Sequence, residues 1–393
     1  MENNIIIEEI QQDKAYAYWL HGALERNNRL IDILLEEIGS PKEIYHTESR
    51  KVKSYLTQKQ FDKYTQITKN WHVELAYERL EHAKIQFMTK QDKDYPMKLR
   101  EIPDAPFGIY IRGKLPDTNR QSVAIIGARE CSAYGRYIAR ECGMALARSG
   151  IQVISGMARG IDGISQKGTV DAGGETYAVL GCGVDICYPE SNRELYDKIL
   201  EQGGILSEYR PGLMPLPRNF PPRNRIISGL SDAVLVIEAR ERSGTLITVD
   251  MALEQGREVY VIPGRITDSL SDGCNRLIRQ GAEIVLSIDD FVHEILENGL
   301  LYKVHREKGE QMEQMDLTGI LVNRVDDPLG RRIVEVLDFT PQPVDTIMEK
   351  LYQKQQEKEE PMELCLTEIL QQLLQLQIKQ IVEQKGGQYC LHL

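Results

Sequence analysis

Four short runs of glycine, arginine and small hydroxyl residues carry the chemistry of this sequence, and all four suit anions. The first is Gly127-Ala128-Arg129-Glu130-Cys131-Ser132-Ala133-Tyr134-Gly135. Its glycine lets backbone amides approach a phosphate, and its arginine can make a charge-assisted fork to a phosphate oxygen. The second, Ser155-Gly156-Met157-Ala158-Arg159-Gly160-Ile161-Asp162-Gly163, has the composition of an anion-binding nest, with Lys167 beyond it. The third, Asn219-Phe220-Pro221-Pro222-Arg223-Asn224-Arg225-Ile226-Ile227-Ser228-Gly229-Leu230, lies in a local excess of positive charge. Arg210, Arg218, Arg223 and Arg225 face Glu208 alone between 207 and 225, whereas residues 120–300 together count 19 basic against 24 acidic. The ring of Phe220 beside arginines and amides suits a stacked base with its phosphate. The fourth, Arg242-Ser243-Gly244-Thr245-Leu246-Ile247-Thr248, offers hydroxyls and amides at the start of a helix.

The first run, taken singly, is as well read as a tight turn with a surface arginine; the alternative for the second is a pure helix cap, and for the third a structural proline turn with solvated arginines. Proton-transfer machinery is missing beside them. Histidines 21, 46, 72, 82, 293, 305 and 392 all fall outside the four runs, so no Ser/His/Asp or Cys/His arrangement has its base there. No H-E-x-x-H or Walker A run is present, and Gly181-Cys182-Gly183 is followed by Ile186 where a dinucleotide fingerprint needs glycine. Many anion donors without an acid or base favour binding over turnover, with no cofactor and no metal.

The elements that must position these runs are legible as alternation. Apolar runs at Val123–Ile126, Ile151–Ile154, Thr176–Leu180, Gly204–Leu206, Ala233–Ile237, Glu258–Ile262 and Glu283–Leu286 are separated by helix-length segments such as Tyr134–Ser149 and Ser191–Gln202. Strands rich in Val and Ile on both faces belong to a parallel sheet covered on both sides. The fold class expected is α/β: a Rossmann-like, doubly wound, mostly parallel core in which ligands bind beyond the carboxyl ends of the strands. Residues 1–82 read as a small helical N-terminal domain, either helix-hairpin-helix or SAM-like in contact with nucleic acid, or a packing module. The core spans 83–300, a polar linker 301–327, and three short helices with a terminal β-pair over 328–393 suggest a winged-helix domain.

With 393 residues, 41 % hydrophobic and 27 % charged, the chain is an ordinary globular protein of two or three domains. No stretch approaches the roughly 18 uninterrupted apolar residues of a membrane helix, and the N-terminus lacks a basic region before an apolar run. The seven cysteines, at 131, 142, 182, 187, 274, 365 and 390, have no zinc-ligand spacing and read as reduced thiols of a cytoplasmic protein. The net charge of −11 argues against a surface coated for duplex DNA, though not against a local basic groove.

Together the runs AIIGARECSAYG, SGMARGIDGISQKG, YAVLGCGVDICYP, ILSEYRPG, NFPPRNRIISGLSDAVLVIEA, SGTLIT, GREVYVIPG and GCNRLIRQGA, in one order over roughly 85–290, resemble the DNA-processing protein A family (DprA, also called Smf). The preceding YPMKLREIPDAPFGIYIRGKL is similar as well. The resemblance implies a homodimer that binds single-stranded DNA through its Rossmann-like core and helps load RecA recombinase in natural transformation and recombination. Carried over by position, Arg129 is the foremost phosphate contact, and Gly127, Ser155, Gly156, Asn219, Phe220, Arg223, Asn224 and Arg225 would complete the strand-binding pocket. Arg159, Lys167, Ser243, Gly244 and Thr245 join them from the loop reading. The chain departs from the family pattern at Gln166, where a histidine is common, and at Glu190, where a basic residue is common.

The competing reading is an enzyme. The loops also resemble nucleotide phosphoribohydrolases of the lysine-decarboxylase-like group, whose Pro-Gly-Gly-x-Gly-Thr-x-x-Glu motif carries a catalytic glutamate. The comparable run here places Thr248 at that position. A third reading, a transcription regulator acting through the C-terminal domain, conflicts with that region's 11 basic against 16 acidic residues over 301–393.

Overall fold

The structure is a computed structural model and describes residues 2–307, 325, 327–337, 342–358, 365–379, 381–385 and 387–391. The chain divides into two compact units, Met1–Leu301 and Tyr302–Leu393.

The first unit opens with six helices: α1 (Glu2–Leu24), α2 (Asn28–Glu37), α3 (Pro41–His46), α4 (Ser49–Lys53), α5 (Gln58–Asn70) and α6 (Val73–His82). Capping boxes start two of them, Ser40 with Glu43 at α3 and Thr57 with Gln60 at α5. Strand β1 (Gln86–Thr89), α7 (Met97–Arg100) and β2 (Gly108–Gly113) follow. Then comes the alternation: β3 (Ser122–Gly127), α8 (Ala133–Arg148), β4 (Gln152–Ser155), α9 (Ile161–Asp171), β5 (Thr176–Val179), α10 (Arg193–Gln202), β6 (Gly204–Ser207), α11 (Phe220–Gly229), β7 (Ala233–Ile237), α12 (Gly244–Glu254), β8 (Glu258–Val261), α13 (Asp272–Arg279), β9 (Glu283–Ile284) and α14 (Ile288–Glu307).

These strands form one nine-stranded sheet in the order β1-β2-β6-β5-β4-β3-β7-β8-β9. Seven run parallel, and β1 and β2 add antiparallel to the edge of β6. The alternating segments thus build the Rossmann-like α/β core, as their apolar strands predict. Every residue of β4, β5, β6 and β7 is buried. From β3 the chain winds outward through β4, β5 and β6, then returns to lay β7 against the other side of β3. A doubly wound sheet opens a crevice at such a reversal, here beyond the carboxyl ends of β3 and β7.

Three details differ from the sequence reading. Strands β1 and β2 lie ahead of the first strand legible as an apolar run. Strand β9 has two residues, not four, and Leu286 beyond it is exposed. The helical segment 1–82 shares one hydrophobic core with the sheet: Tyr18 packs edge-on against Tyr110 of β2, with ring centroids 5.9 Å apart. A buried polar joint reinforces it. Glu208, just after β6, accepts from Arg225 Nη2 (2.8 Å), Arg26 Nε (3.0 Å) and Asn28 Nδ2 (3.0 Å).

Of the linker expected over 301–327, residues 301–307 continue α14, while 308–324 and 326 lie outside the described residues. The second unit contains α15 (Pro328–Val336), α16 (Val344–Lys358), α17 (Leu366–Ile378) and the antiparallel pair β10 (Val382–Lys385) and β11 (Gln388–Leu391). Its core includes Ile333, Ile347, Ile369 and Leu373. No disulfide joins the seven cysteines; Cys142, Cys182, Cys187, Cys274 and Cys390 are buried, but Cys365 is exposed.

Candidate functional site

A cavity of about 590 Å³ lies at the switch point, lined from four directions by the loops that follow the strands. The β3 loop supplies Gly127, Ala128, Arg129 and Glu130, and the start of α11 supplies Phe220, Arg223 and Asn224. The β7 loop and the start of α12 supply Arg240, Ser243, Gly244, Thr245 and Thr248. Tyr188, Ala158, Asp162 and Leu270 complete much of the wall.

The close approach of β3, β7 and α9 explains Gly127. A Cβ there would lie 1.9 Å from the Ile237 carbonyl oxygen and 2.7 Å from Cγ1 of Ile161. Gly160 has φ +79°, which favours glycine, and a Cβ on it would lie 2.2 Å from the Ala128 carbonyl oxygen. These contacts press the first two loops together and turn Arg129 outward to an exposed position on the cavity rim.

Two of the expected anion positions are filled by the protein's own carboxylates. At the start of α8, Glu238 accepts from the Ser132 amide (2.8 Å) and from its hydroxyl. The nest after β4 holds the Asp162 carboxylate, which accepts from the Gly156 amide at 3.2 Å. The amides of the first helix N-terminus and of the β4 nest, read from the sequence as phosphate donors, thus face the protein's own Glu238 and Asp162 carboxylates. Helix α12 differs. It has no acidic residue in its first turn, Ser243 Oγ caps it by accepting from the Thr245 amide (3.1 Å), and open space surrounds Gly244.

The cavity floor carries Arg223, 5 % exposed. Its Nη1 donates to the carbonyls of Gly156 (3.1 Å) and Val179, while its Nε finds no partner. Burial pulls its pKa down to about 10, against the opposite pull of Asp162, so the guanidinium stays charged at neutral pH. Burial likewise pushes the Asp162 carboxyl up, against the pull of Arg223. The Phe220 ring sits among cations: the guanidinium carbons of Arg129 and Arg223 each lie 5.8 Å from its centroid, and the Tyr188 ring is 5.4 Å away. Cation–π contact of this kind positions both arginines with donors left over.

Of the residues singled out in the sequence, the cavity thus brings together Gly127, Arg129, Phe220, Arg223, Asn224, Ser243, Gly244 and Thr245. Six others do not line it. Ser155 is buried and donates to the Ile125 carbonyl (2.6 Å). Gly156 lies behind the Arg223 guanidinium. Asn219 is buried and donates to the Gly181 carbonyl (3.1 Å). Arg225 is consumed by Glu208 on the opposite side of α11 from Arg223. Arg159 is exposed outside the wall, and Lys167 is exposed on α9, 3.6 Å from Asp171.

The departures from the family pattern are resolved locally. Gln166 is buried and accepts from the Met157 amide (3.0 Å) while donating to Thr176 Oγ1 (3.0 Å), which holds the β4 loop. Glu190 is exposed. The sequence reading missed Arg240 and Tyr188. The signal for Arg240 was available, since it stands three residues beyond β7. Tyr188 precedes a proline and has no such marker. Among the described residues there is no cluster of His, Cys, Asp and Glu able to hold a metal ion, and no helix long and apolar enough to cross a membrane.

Residues 86–296 match the model of the family described as DNA recombination-mediator protein A. The DNA processing protein DprA of Streptococcus pneumoniae is 44 % identical over 203 residues, covering 52 % of this chain and 72 % of that protein. Protein Smf of Synechocystis is 35 % identical over 317 residues, covering 77 % and 79 %. The X-ray structure of the Streptococcus pneumoniae protein aligns with a TM-score of 0.61 at 33 % identity, covering 71 % of this chain and 97 % of the other. This chain belongs to the DNA recombination-mediator protein A family.

Proposed function

We propose that the protein binds single-stranded DNA at the switch-point cavity and presents it to RecA recombinase, without turning the strand over. The observation that carries this reading is Arg223: a buried, charged guanidinium on the floor of a cavity whose rim adds Arg129 and Arg240. Asp162 offsets part of that charge, but the lining sets Arg129, Arg223 and Arg240 against Asp162 and Glu130, an excess that suits an anion from outside. The start of α12, with open space around Gly244 and the hydroxyls of Ser243 and Thr245, offers a second phosphate position beside it. A cavity of about 590 Å³ suits an unstacked nucleotide better than a duplex, and backbone contacts of this kind tolerate any sequence.

The family's description as a recombination mediator supports the hand-over to a recombinase. Enzymatic cleavage of a nucleotide is disfavoured by Thr248 at the glutamate position and by Glu238, whose carboxylate is held by Ser132. We place homodimer formation at the free edge of the sheet, where β9 pairs on one side only and Ile284, Leu286 and Ile266 are exposed. The three helices and β-pair of the second unit fit the winged-helix assignment; its α17 carries no basic residue, so a protein contact suits it better than duplex reading. Photocrosslinking of a bromodeoxyuridine strand, followed by peptide mapping, tests the site. Adducts should fall at 127–130, 188, 220–224 and 240–245; adducts confined to the second unit would overturn the assignment.

A further inference from the structure

The helical segment carries a charge feature that the cavity does not use. Over residues 49–69 the sequence holds Arg50, Lys51, Lys53, Lys59, Lys63 and Lys69 against Asp62 alone, in a chain of net charge −11. These residues lie on α4 and α5, whose inward sides are Val52 and Tyr64, both buried, so the six cations stand on the outer side and all are exposed. Lys63 pairs with Glu25 at 2.5 Å, and Lys53 lies 5.4 Å from the Phe61 centroid, which joins the two helices' cations into one face. Among the described residues Arg50, Lys51, Lys59 and Lys69 have no ion pair. The amides at the start of α5 are already satisfied by Thr57 and Gln60, so this face can act only through its side chains.

Its position gives the face a use. Glu25 adjoins Arg26, and Arg26 bonds to Glu208 at the carboxyl end of β6 and to the Tyr209 hydroxyl. Tyr209 in turn donates to the carbonyl of Asn219, next to cavity-lining Phe220, at 2.9 Å. The Lys63 end of the basic face is thereby tied to the carboxyl end of β6, which is three strand spacings from β3, about 14 Å. Arg210 and Arg218, on the segment that links that corner to α11, are exposed and have no ion pair among the described residues.

We infer that the α4–α5 face is a second, sequence-independent contact for the DNA strand, and that a strand leaving the cavity runs past Arg218 and Arg210 onto it. The inference rests on the proposed function of the cavity and adds a direction and a length to the bound strand. An acidic protein could also be drawn to such a face. The tie to the carboxyl end of β6 favours the strand.

The test uses the full chain and labelled dT strands of about 5 and about 20 nucleotides, which bracket the usual site sizes. The variant Arg50→Gln/Lys51→Gln/Lys59→Gln changes exposed positions only. It should bind the long strand about tenfold more weakly at low salt, with the slope of log affinity against log salt reduced by about 2, and bind the short strand like the parent. A variant that binds the long strand with the parent's affinity and slope overturns the inference, as does one that loses both strands equally. Arg218→Gln, midway along the path, should lose long-strand affinity by a smaller factor. A parent that binds the long strand no better than the short one overturns the extension alone. A parent that binds neither overturns the cavity reading with it.

Discussion

Arg223 and Arg225 stand two residues apart on α11 and face opposite environments. Arg223 lines the cavity, whereas Arg225 is locked to Glu208 inside the joint between helices and sheet. Burial pulls the Arg225 pKa down, but Glu208 reverses this and leaves it raised; burial pushes Glu208 up, and Arg225, Arg26 and Asn28 leave it lowered. Arg225→Met would strand a buried carboxylate and should cost about 3–5 kcal/mol, read as a lower urea midpoint. Arg129→Ala, on an exposed side chain, should leave that midpoint within about 0.5 kcal/mol of the parent. His21 offers a pH test. Burial lowers its pKa to about 4 from an ordinary 6.5, with Nδ1 2.9 Å from the Tyr110 hydroxyl. Below pH 6.5 the unfolded chain takes up a proton that the folded chain refuses. Stability should therefore fall by about 3 kcal/mol between pH 6.5 and 4, and His21→Phe should remove most of that slope in urea titrations at each pH.

At the scale of elements, the strands were legible because β3 to β8 are apolar on both faces. Strand β1 was not, since its residues alternate between surface and core instead of forming an apolar run, and β2 lies ahead of the βα alternation that marked the others. The four loops were legible as anion sites from glycine and arginine spacing. What spacing could not show is that Asp162 and Glu238 fill two of them, because Glu238 is brought to Ser132 from 106 residues away by the β3–β7 pairing. Nor could it separate Arg223 from Arg225, which a helix turn points to opposite sides. Gly127 is the test of this layer. Gly127→Ala sets a methyl against the Ile237 carbonyl, so β3 and β7 must separate at their carboxyl ends. The variant should lose a few kcal/mol of stability, measured by thermal unfolding. Parent-like stability would mean that the two loops are less tightly pressed than the geometry requires.

At the scale of the molecule, the chain's acidity and its proposed binding of DNA are reconciled by placement. A net charge of −11 coexists with two basic features, the cavity and the α4–α5 face. The opposite end of the sheet order is different in kind: β9 is a two-residue edge strand with Leu286 exposed beside it. Leu286→Glu should shift the protein from dimer to monomer in light scattering, and a parent that is already monomeric would contradict the dimer placement. The central claim concerns the cavity, and fluorescence anisotropy tests it most directly. A labelled dT strand and a matched duplex would be titrated at several salt concentrations with the parent and with Arg129→Ala. The account predicts a strong preference for the single strand, an affinity that falls steeply with salt, and a loss of tenfold or more in the variant with a shallower slope. Equal binding of strand and duplex, or an Arg129→Ala variant that binds like the parent, would contradict it.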